Sequence, residues 1–412
     1  MNTPQNRFVD IYQNQQKIVL RNDSNSTSVV ITNNGTTITR TPYDHNHLNG
    51  KSTSIRIYAV YGIVPLYTQS YLIVVTDAVL KADLAGKLIF AAKKFQWLPI
   101  RDPLSKVKQE DKPYIDMFNV WFNTGYFFFS YEMDLTNTLQ QNFEKSSLGS
   151  SKVNHPCRSV YFYNECYMTQ FIKDNINDWI QPFICGFVHS KTCMVNNKYL
   201  TLTLLSRRDK SRGGLRFLSR GSDDKGNCTN FVETEQIFCV NIESGYRFFS
   251  HLQVRGSIPF LWKQTPNLKW APSVKIEVNP QKNVAAYSAH AKSMLKNYDE
   301  TTFVNLIDKK SWQLQLGNKL DELHKQVPHP KIHLVWFDFH NECKKMQYQN
   351  LSKLVGQINE QLESNHYYEA TVQNTNIGQV NVAAMKQSGV IRTNCVDCLD
   401  RTNVVQSVIG RN

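Results

Sequence analysis

Cys395 and Arg401 stand five residues apart, with Val396, Asp397, Cys398, Leu399 and Asp400 between them. That spacing lets successive backbone N–H groups close around a tetrahedral dianion while a guanidinium grips two of its oxygens, so the stretch from Val396 to Arg401 reads as a phosphate cradle. The same donors favour a thiolate, drawing a cysteine below its free pKa of about 8.5, and the thiolate is the form that attacks phosphorus. Cys395 is therefore the expected nucleophile and Arg401 the phosphate-binding arginine. Thr402 can donate its hydroxyl to the sulfur and improve it as a leaving group. The reaction also needs an acid for the departing alcohol and a base for water. Asp397, two residues after the nucleophile, is the preferred candidate; Asp400 either orients Arg401 or caps a helix.

The elements that must hold such a loop can be read on both sides of it. Val390–Thr393 predicts a short strand, and Leu399, Val404, Val405, Val408 and Ile409 recur at steps that predict a helix beginning near Arg401, its positive end facing the loop. Upstream, Ile332–Phe337 follows Pro330, is apolar on both faces and predicts a central strand. Asp338 and His340 would then lie at the sheet edge, Asp338 as a second possible acid and His340 as a catalytic partner or a hydrogen-bonded structural histidine. Tyr199–Leu205 predicts a strand, and Ala285–Tyr298 and Glu342–Leu362 predict helices, so residues 183–412 read as an α/β domain.

Residues 1–182 carry a different pattern. Positions 21–54 are dense in Asn, Ser and Thr and predict loops around a short strand at Val29–Ile31. From Ile55 the alternation of apolar residues and the run Leu72–Val75 predict a mainly antiparallel sheet. Tyr126–Tyr131 predicts a strand whose aromatic side chains enter a core, and Val160–Ile180 predicts a helix stopped by Pro182, where the domain boundary is placed.

Lys plus Arg exceed Asp plus Glu by 47 to 34, a net charge of +13, which suits a polyanionic partner: nucleic acid, anionic lipid or a phosphorylated substrate. Basic residues concentrate at Arg207, Arg208, Arg212, Arg216 and Arg220 and again at Lys344 and Lys345; these are candidate head-group or membrane contacts or solvated loops, and no nucleic-acid motif accompanies them. Nine scattered cysteines and a start without a signal core predict a reducing, cytosolic setting, and no run of about 18 apolar residues is present to cross a bilayer. Cys395 and Cys398 also form a C-x-x-C, but no second such pair occurs to complete a zinc site, and a redox motif would leave Arg401 and Thr402 unexplained.

RTNCVDCLDRTN resembles the signature loop of the Sac family of phosphoinositide phosphatases. The similarity extends through FFFSYEMDLTNTLQ at 127–140, SRRDKSRGGLRFLSRG at 206–221, NFVETEQI at 230–237, QVRGSIPFLW at 253–262 and FDFHNECKKM at 337–346. It implies an α+β protein in which an N-terminal β-rich Sac domain packs on an α/β catalytic domain like that of the cysteine phosphatases. It further implies no metal or other cofactor, and hydrolysis of phosphatidylinositol monophosphates, chiefly the 4-phosphate, through a phosphocysteine at Cys395. The partner would be a phosphoinositide lipid in a membrane surface, on the cytosolic side of the endoplasmic reticulum and Golgi, and not nucleic acid. Family members continue beyond the loop helix, so a chain ending at Asn412 is expected to carry an incomplete catalytic domain. An inactive phosphoinositide-binding or scaffold protein, and a protein phosphatase with the same loop, are the competing readings.

Overall fold

Short runs of alternating apolar and polar residues dominate both halves of the chain, and the computed structural model turns nearly all of them into strands. It describes residues 7–12, 17–22, 27–42, 52–100, 108–147, 157–213, 220–265, 272–375 and 378–412. The chain divides into two compact units, Met1–His189 and Ser190–Asn412, so that Pro182 falls inside the first.

In the first unit, β1 (Arg7–Tyr12), β2 (Lys17–Asn22), β3 (Thr27–Thr32), β4 (Thr37–Pro42) and β5 (Ser52–Ile57) form an antiparallel sheet in the order β4-β3-β2-β1-β5. Of the stretch 21–54, expected to be loops around one strand, the described residues are largely strand, while 23–26 and 43–51 lie outside the described residues. Ile18, Leu20, Val29, Ile31 and Ile38 alternate inward into one core, while Ser28, Thr32, Thr37 and Thr39, which disguised the pattern, flank them. β6 (Ala59–Pro65), β7 (Ser70–Leu84), β8 (Lys87–Pro99) and β9 (Phe127–Ser130) continue as antiparallel neighbours, followed by the first residues of β10 (Ile184–Val195). Phe127, Phe128 and Phe129 are buried. Phe127 meets α1 (Lys112–Phe122), whose Phe122 stacks on Phe95 with ring centroids 4.0 Å apart. α2 (Leu139–Ser147) and α3 (Thr169–Lys173) are short.

No long helix spans 160–180. Asn164 is buried there and its side chain takes up the Tyr61 and Gln181 carbonyls and the Phe183 N–H, while Asn175 adopts a left-handed φ of 56°. Asparagines that bind backbone in this way divert the chain from helix despite favourable apolar spacing, leaving single turns and α3.

In the second unit, β11 (Lys198–Arg208), β12 (Val232–Ile242) and β13 (Gly245–Arg255) are antiparallel. β14 (Trp262–Gln264) and β15 (Val274–Ile276) form a separate ribbon. α4 (Pro280–Asn297) leads to β16 (Glu300–Asn305), α5 (Ser311–Gln326) to β17 (Ile332–Trp336), and α6 (Phe339–Glu342) and α7 (Leu351–Asn365) to the hairpin β18 (Tyr368–Thr375) and β19 (Gly378–Met385). The chain then returns as β20 (Gly389–Asn394) and ends in α8 (Asp400–Ile409).

β20 inserts between β13 and β16, parallel to both, and β16 is parallel to β17. The central strand is therefore β20, with all six residues buried, whereas β17, expected in the middle, is the end strand of this run and is mostly half-buried. Apolar residues suit either place, and only long-range pairing separates the two. The predicted Glu342–Leu362 helix starts later, at Leu351, after α6 and two single turns. Side chains alternate across the parallel strands: Phe303 and Val390 pack with Ala291 and Met294 of α4, while Val304 and Ile391 pack with α7 and α8. Both faces are covered, and the strand ends converge on one edge.

Gly317 lies where α5 crosses β17, and a Cβ there would sit 2.0 Å from the Trp336 ring. A glycine inside a helix is retained here by close packing at a cost in propensity. Gly317→Ala is expected to destabilise the second unit by about 1–3 kcal/mol through overpacking. Denaturant unfolding followed by tryptophan fluorescence reads this directly; an unchanged midpoint would mean the ring has room to shift.

Candidate active site

The loop 395–399 begins at the carboxyl end of β20, where Leu306 donates its N–H to the Asn394 carbonyl and Asn394 donates through Nδ2 to Asn305 Oδ1 at 2.7 Å. Those bonds tie the ends of β20 and β16 together, so the loop starts from a fixed point. Cys395 has no exposed surface and packs in the core shared by α7 and α8, while Val396 packs with Ile258 and Phe260 toward α4 and α5. The loop straddles the sheet edge as the sequence pattern required.

A buried sulfur of ordinary acidity would stay protonated. Here the Cys398 N–H donates to Cys395 Sγ at 3.1 Å. The Cys395 thiol is drawn from 9.0 down to about 7, chiefly by a hydrogen bond from the Cys398 side chain, which outweighs the opposing effect of burial. The Arg401 charge and the Asp397 N–H lower it further, whereas the Asp397 carboxylate, 3.5 Å from the sulfur, raises it. Burial and the neighbouring sulfur push the Cys398 thiol well above its usual range. The two cysteines thus divide the roles of anion and donor. No side chain caps α8, so Asp400 does not act as its cap, and the helix presents its first amides toward the loop. Asp400 and Leu399 are exposed. Thr402 is buried and donates to the Leu399 carbonyl at 3.0 Å, so its hydroxyl is engaged away from the sulfur.

Arg401 reaches back over β16. Its Nη1 donates to the Leu306 carbonyl at 3.1 Å, Gln313 Oε1 at 3.0 Å and Asp308 Oδ1 at 3.3 Å. Asp308 also receives Gln313 Nε2 at 2.9 Å and lies 2.9 Å from His340 Nδ1. His340 therefore belongs to the site's outer ring. Asp338 instead accepts the Asn341 and Lys309 N–H groups at the start of α6, two strand positions from β20. The carboxylate beside Arg401 is Asp308, which the sequence reading passed over because it placed β17, and not β16, next to the loop strand. A second missed residue is Arg255, at the end of β13: it feels both loop thiols, donates through Nη1 to Asn403, and has a buried Nε without a hydrogen-bond partner among the described residues.

Of the basic cluster, Arg207 and Arg220 are buried and Arg208 and Arg212 half-buried. Arg207 is fully buried between Glu233, at 2.6 Å, and Glu235. Arg220 is buried and donates to the Val396 carbonyl at 2.9 Å and Gln264 Oε1 at 3.1 Å. Arg212 donates to Thr229 and to the Arg220 carbonyl, and half-buried Arg208 donates to Asn230. Guanidinium forks matched to internal acceptors hold Arg207 and Arg220 inside. Arg216 lies outside the described residues. Lys344 and Lys345 are exposed beyond α6. Among the described residues no cluster of His, Cys, Asp and Glu is arranged to hold a metal, and no helix is long and apolar enough to cross a membrane.

The SacI homology domain model matches residues 58–344, well over half of the chain. The chain is 35% identical over 360 residues to an uncharacterised protein of Schizosaccharomyces pombe, covering 85% of this chain and 58% of that one. It is 32% identical to proteins named phosphatidylinositol-3-phosphatase SAC1 in Drosophila melanogaster and Saccharomyces cerevisiae, covering 86% and 87% of this chain and 58% and 57% of theirs. The chain belongs to the Sac-domain phosphoinositide phosphatase family, and it spans somewhat under three-fifths of the length of these relatives.

Removing the donor thiol should return Cys395 toward ordinary acidity. In Cys398→Ala the pH midpoint of iodoacetamide alkylation at Cys395 is expected to rise from about 7 toward 9.0. Because the thiolate is the reactive form, alkylation at a fixed pH below the midpoint slows about tenfold per unit of rise. A midpoint that stays in place would assign the lowering to the backbone donors and Arg401 alone.

Proposed function

We propose that this chain carries the catalytic machinery of a phosphoinositide phosphatase that removes the phosphate of a phosphatidylinositol monophosphate through a phosphocysteine. The observation that carries the reading is the buried Cys395 sulfur, lowered to about 7 beneath an uncapped helix start, with Arg401 in the first turn of that helix. In the first step the thiolate attacks phosphorus, the bond from phosphorus to the inositol oxygen breaks, and that oxygen takes a proton. Asp397, whose carboxylate lies 3.5 Å from the sulfur, is our candidate to give it and then to accept a proton from the attacking water. In the second step water displaces sulfur from phosphorus, releasing inorganic phosphate and restoring the thiolate. Arg401 is held through Nη1 alone, and its Nε–Nη2 edge makes no hydrogen bond among the described residues, leaving a two-pronged edge for phosphoryl oxygens.

The relatives' names specify a 3-phosphatase, whereas the sequence resemblance implies the 4-phosphate as chief substrate. Both follow from the same cradle, which reads the phosphate and not the ring position. Action at the cytosolic face of the endoplasmic reticulum and Golgi is part of the same proposal. The competing reading is a member that binds phosphoinositide without turning it over.

Phosphate release from liposomes carrying the 3- or the 4-phosphate, in chelator, is expected for the wild-type chain. It should vanish in Cys395→Ser and fall about 100-fold or more in Arg401→Lys. A phosphotyrosine peptide should release little. A folded chain that binds these liposomes but releases nothing would sink the catalytic reading in favour of the binding module.

A further inference from the structure

A trans peptide is planar, with its C=O and N–H on opposite sides, so a group that fixes the carbonyl also fixes where the N–H points. The Val396–Asp397 peptide is gripped in this way. Arg220 Nη1 donates to the Val396 carbonyl at 2.9 Å, and the N–H of the same peptide, on Asp397, is one of the groups that lower the Cys395 thiol. Arg220 comes from far along the chain, 176 residues before Val396, so this is a tertiary contact and not a local turn.

Arg220 is itself immobilised. Its Nε donates to Gln264 Oε1 at 3.1 Å, and Gln264 Nε2 donates to the Pro272 carbonyl at 3.0 Å. Its own carbonyl accepts Arg212 Nη2 at 3.1 Å, and the next residue, Gly221, donates its N–H to Ser257 Oγ at 2.9 Å. Gly221 has a left-handed φ of 66°, and a Cβ there would meet the Phe260 carbonyl at 2.5 Å, so the backbone that delivers Arg220 is fixed by close packing. The side chain is 4% exposed, too deep to meet a lipid head group at the surface.

We propose that Arg220 is a positioning residue for the nucleophile: by holding the Val396 carbonyl outward it keeps the Asp397 amide aimed into the cradle, first at the sulfur and then at a phosphoryl oxygen. Without it the peptide is free to rotate and present its carbonyl to the anion, replacing a donor with a repulsive dipole. Arg220 thus acts through the loop backbone and does not touch substrate. The inference rests on Cys395 as the anionic centre of the site, but its test does not require turnover.

The experiment compares wild type, Arg220→Gln, Arg220→Lys and Gln264→Ala. Iodoacetamide alkylation of Cys395 is followed against pH, beside phosphate release from phosphatidylinositol monophosphate liposomes and thermal unfolding as a check on folding. The Arg220→Gln midpoint should rise by about one pH unit, which is about tenfold slower alkylation below it, and kcat should fall more than KM rises. Arg220→Lys should recover part of the midpoint, because an ammonium can still reach the carbonyl, and Gln264→Ala should move it the same way by less. A folded Arg220→Gln with the wild-type midpoint would overturn the inference even if wild type releases phosphate. Should Arg220→Gln fail to fold, unchanged midpoints in both Arg220→Lys and Gln264→Ala would do so. A raised midpoint in a chain that releases no phosphate would uphold the positioning role while removing the proposed activity.

Discussion

A sulfur that must be anionic and yet has no contact with water sets the terms for the second unit. Burial alone would hold Cys395 protonated and inert, and the acidity is recovered only because several donors converge on one atom. The Cys398 side chain and N–H and the Asp397 N–H come from the loop itself, and the Arg401 charge from the first turn of α8. A loop cannot aim so many groups unaided, since each peptide has its own freedom to rotate. The aim is imposed from outside, by β20 fixing where the loop begins, by α8 fixing where it ends, and by Arg220 gripping its flank. Topology follows from the same demand: inserting β20 between β13 and β16 brings Arg255, Asp308 and Cys395 to one sheet edge from segments far apart in the chain.

Below the loop the interior carries positive charge where most interiors carry none. Arg392, fully buried on β20, donates to His290 Nε2, Asn394 Oδ1, the Ser257 carbonyl and the Cys228 sulfur, and sits 5.0 Å over the Phe303 ring. None of those partners is a carboxylate. Burial, with the Arg392 charge beside it, holds His290 neutral, and burial pushes Cys228 up to about 11, so neither supplies a compensating charge. A lone buried cation is costly unless an anion is close. Of the loop thiols, its charge acts on Cys398, opposing the rise that burial imposes there. Arg207 shows the opposite solution a few strands away, neutralised by Glu233 and Glu235, and belongs to the scaffold.

Much of this was legible in the sequence, and the division between what was and was not has a physical basis. Strand, loop and helix around Cys395 lie within about twenty consecutive residues, so local periodicity sufficed to find them. The partners of the loop could not be found that way, because Asp308, Arg255 and Arg220 reach it through strand order and tertiary packing. Misplacing β17 as the central strand had a direct consequence: it pointed to Asp338, which caps a helix, in place of Asp308. The arginine cluster failed for a related reason. Charge density in a sequence suggests a surface, but a guanidinium with matched carbonyl or carboxylate acceptors can be buried, and Arg207 and Arg220 have them. In the first unit the same blindness to context ran the other way, as polar composition hid the strand pairing around the one strand expected at Val29–Ile31, including β4.

Arg401 illustrates why residue type, and not charge alone, is demanded at the end of the loop. Its Nη1 is spent on an anchor formed by the Leu306 carbonyl, Gln313 and Asp308. Such an anchor places a carboxylate near a site meant for a dianion, which would be self-defeating if Asp308 acted as a free negative charge. It does not, because Gln313 Nε2, Arg401 and the His340 ring all meet the same carboxylate. The anchor therefore fixes the guanidinium plane while donors dilute its charge. The planar fork then offers a second edge, Nε and Nη2, that the anchor cannot reach, and that edge matches two oxygens of a phosphoryl group. A lysine could satisfy either the anchor or the phosphate with a single nitrogen, but it could not hold one while presenting a defined pair of donors to the other.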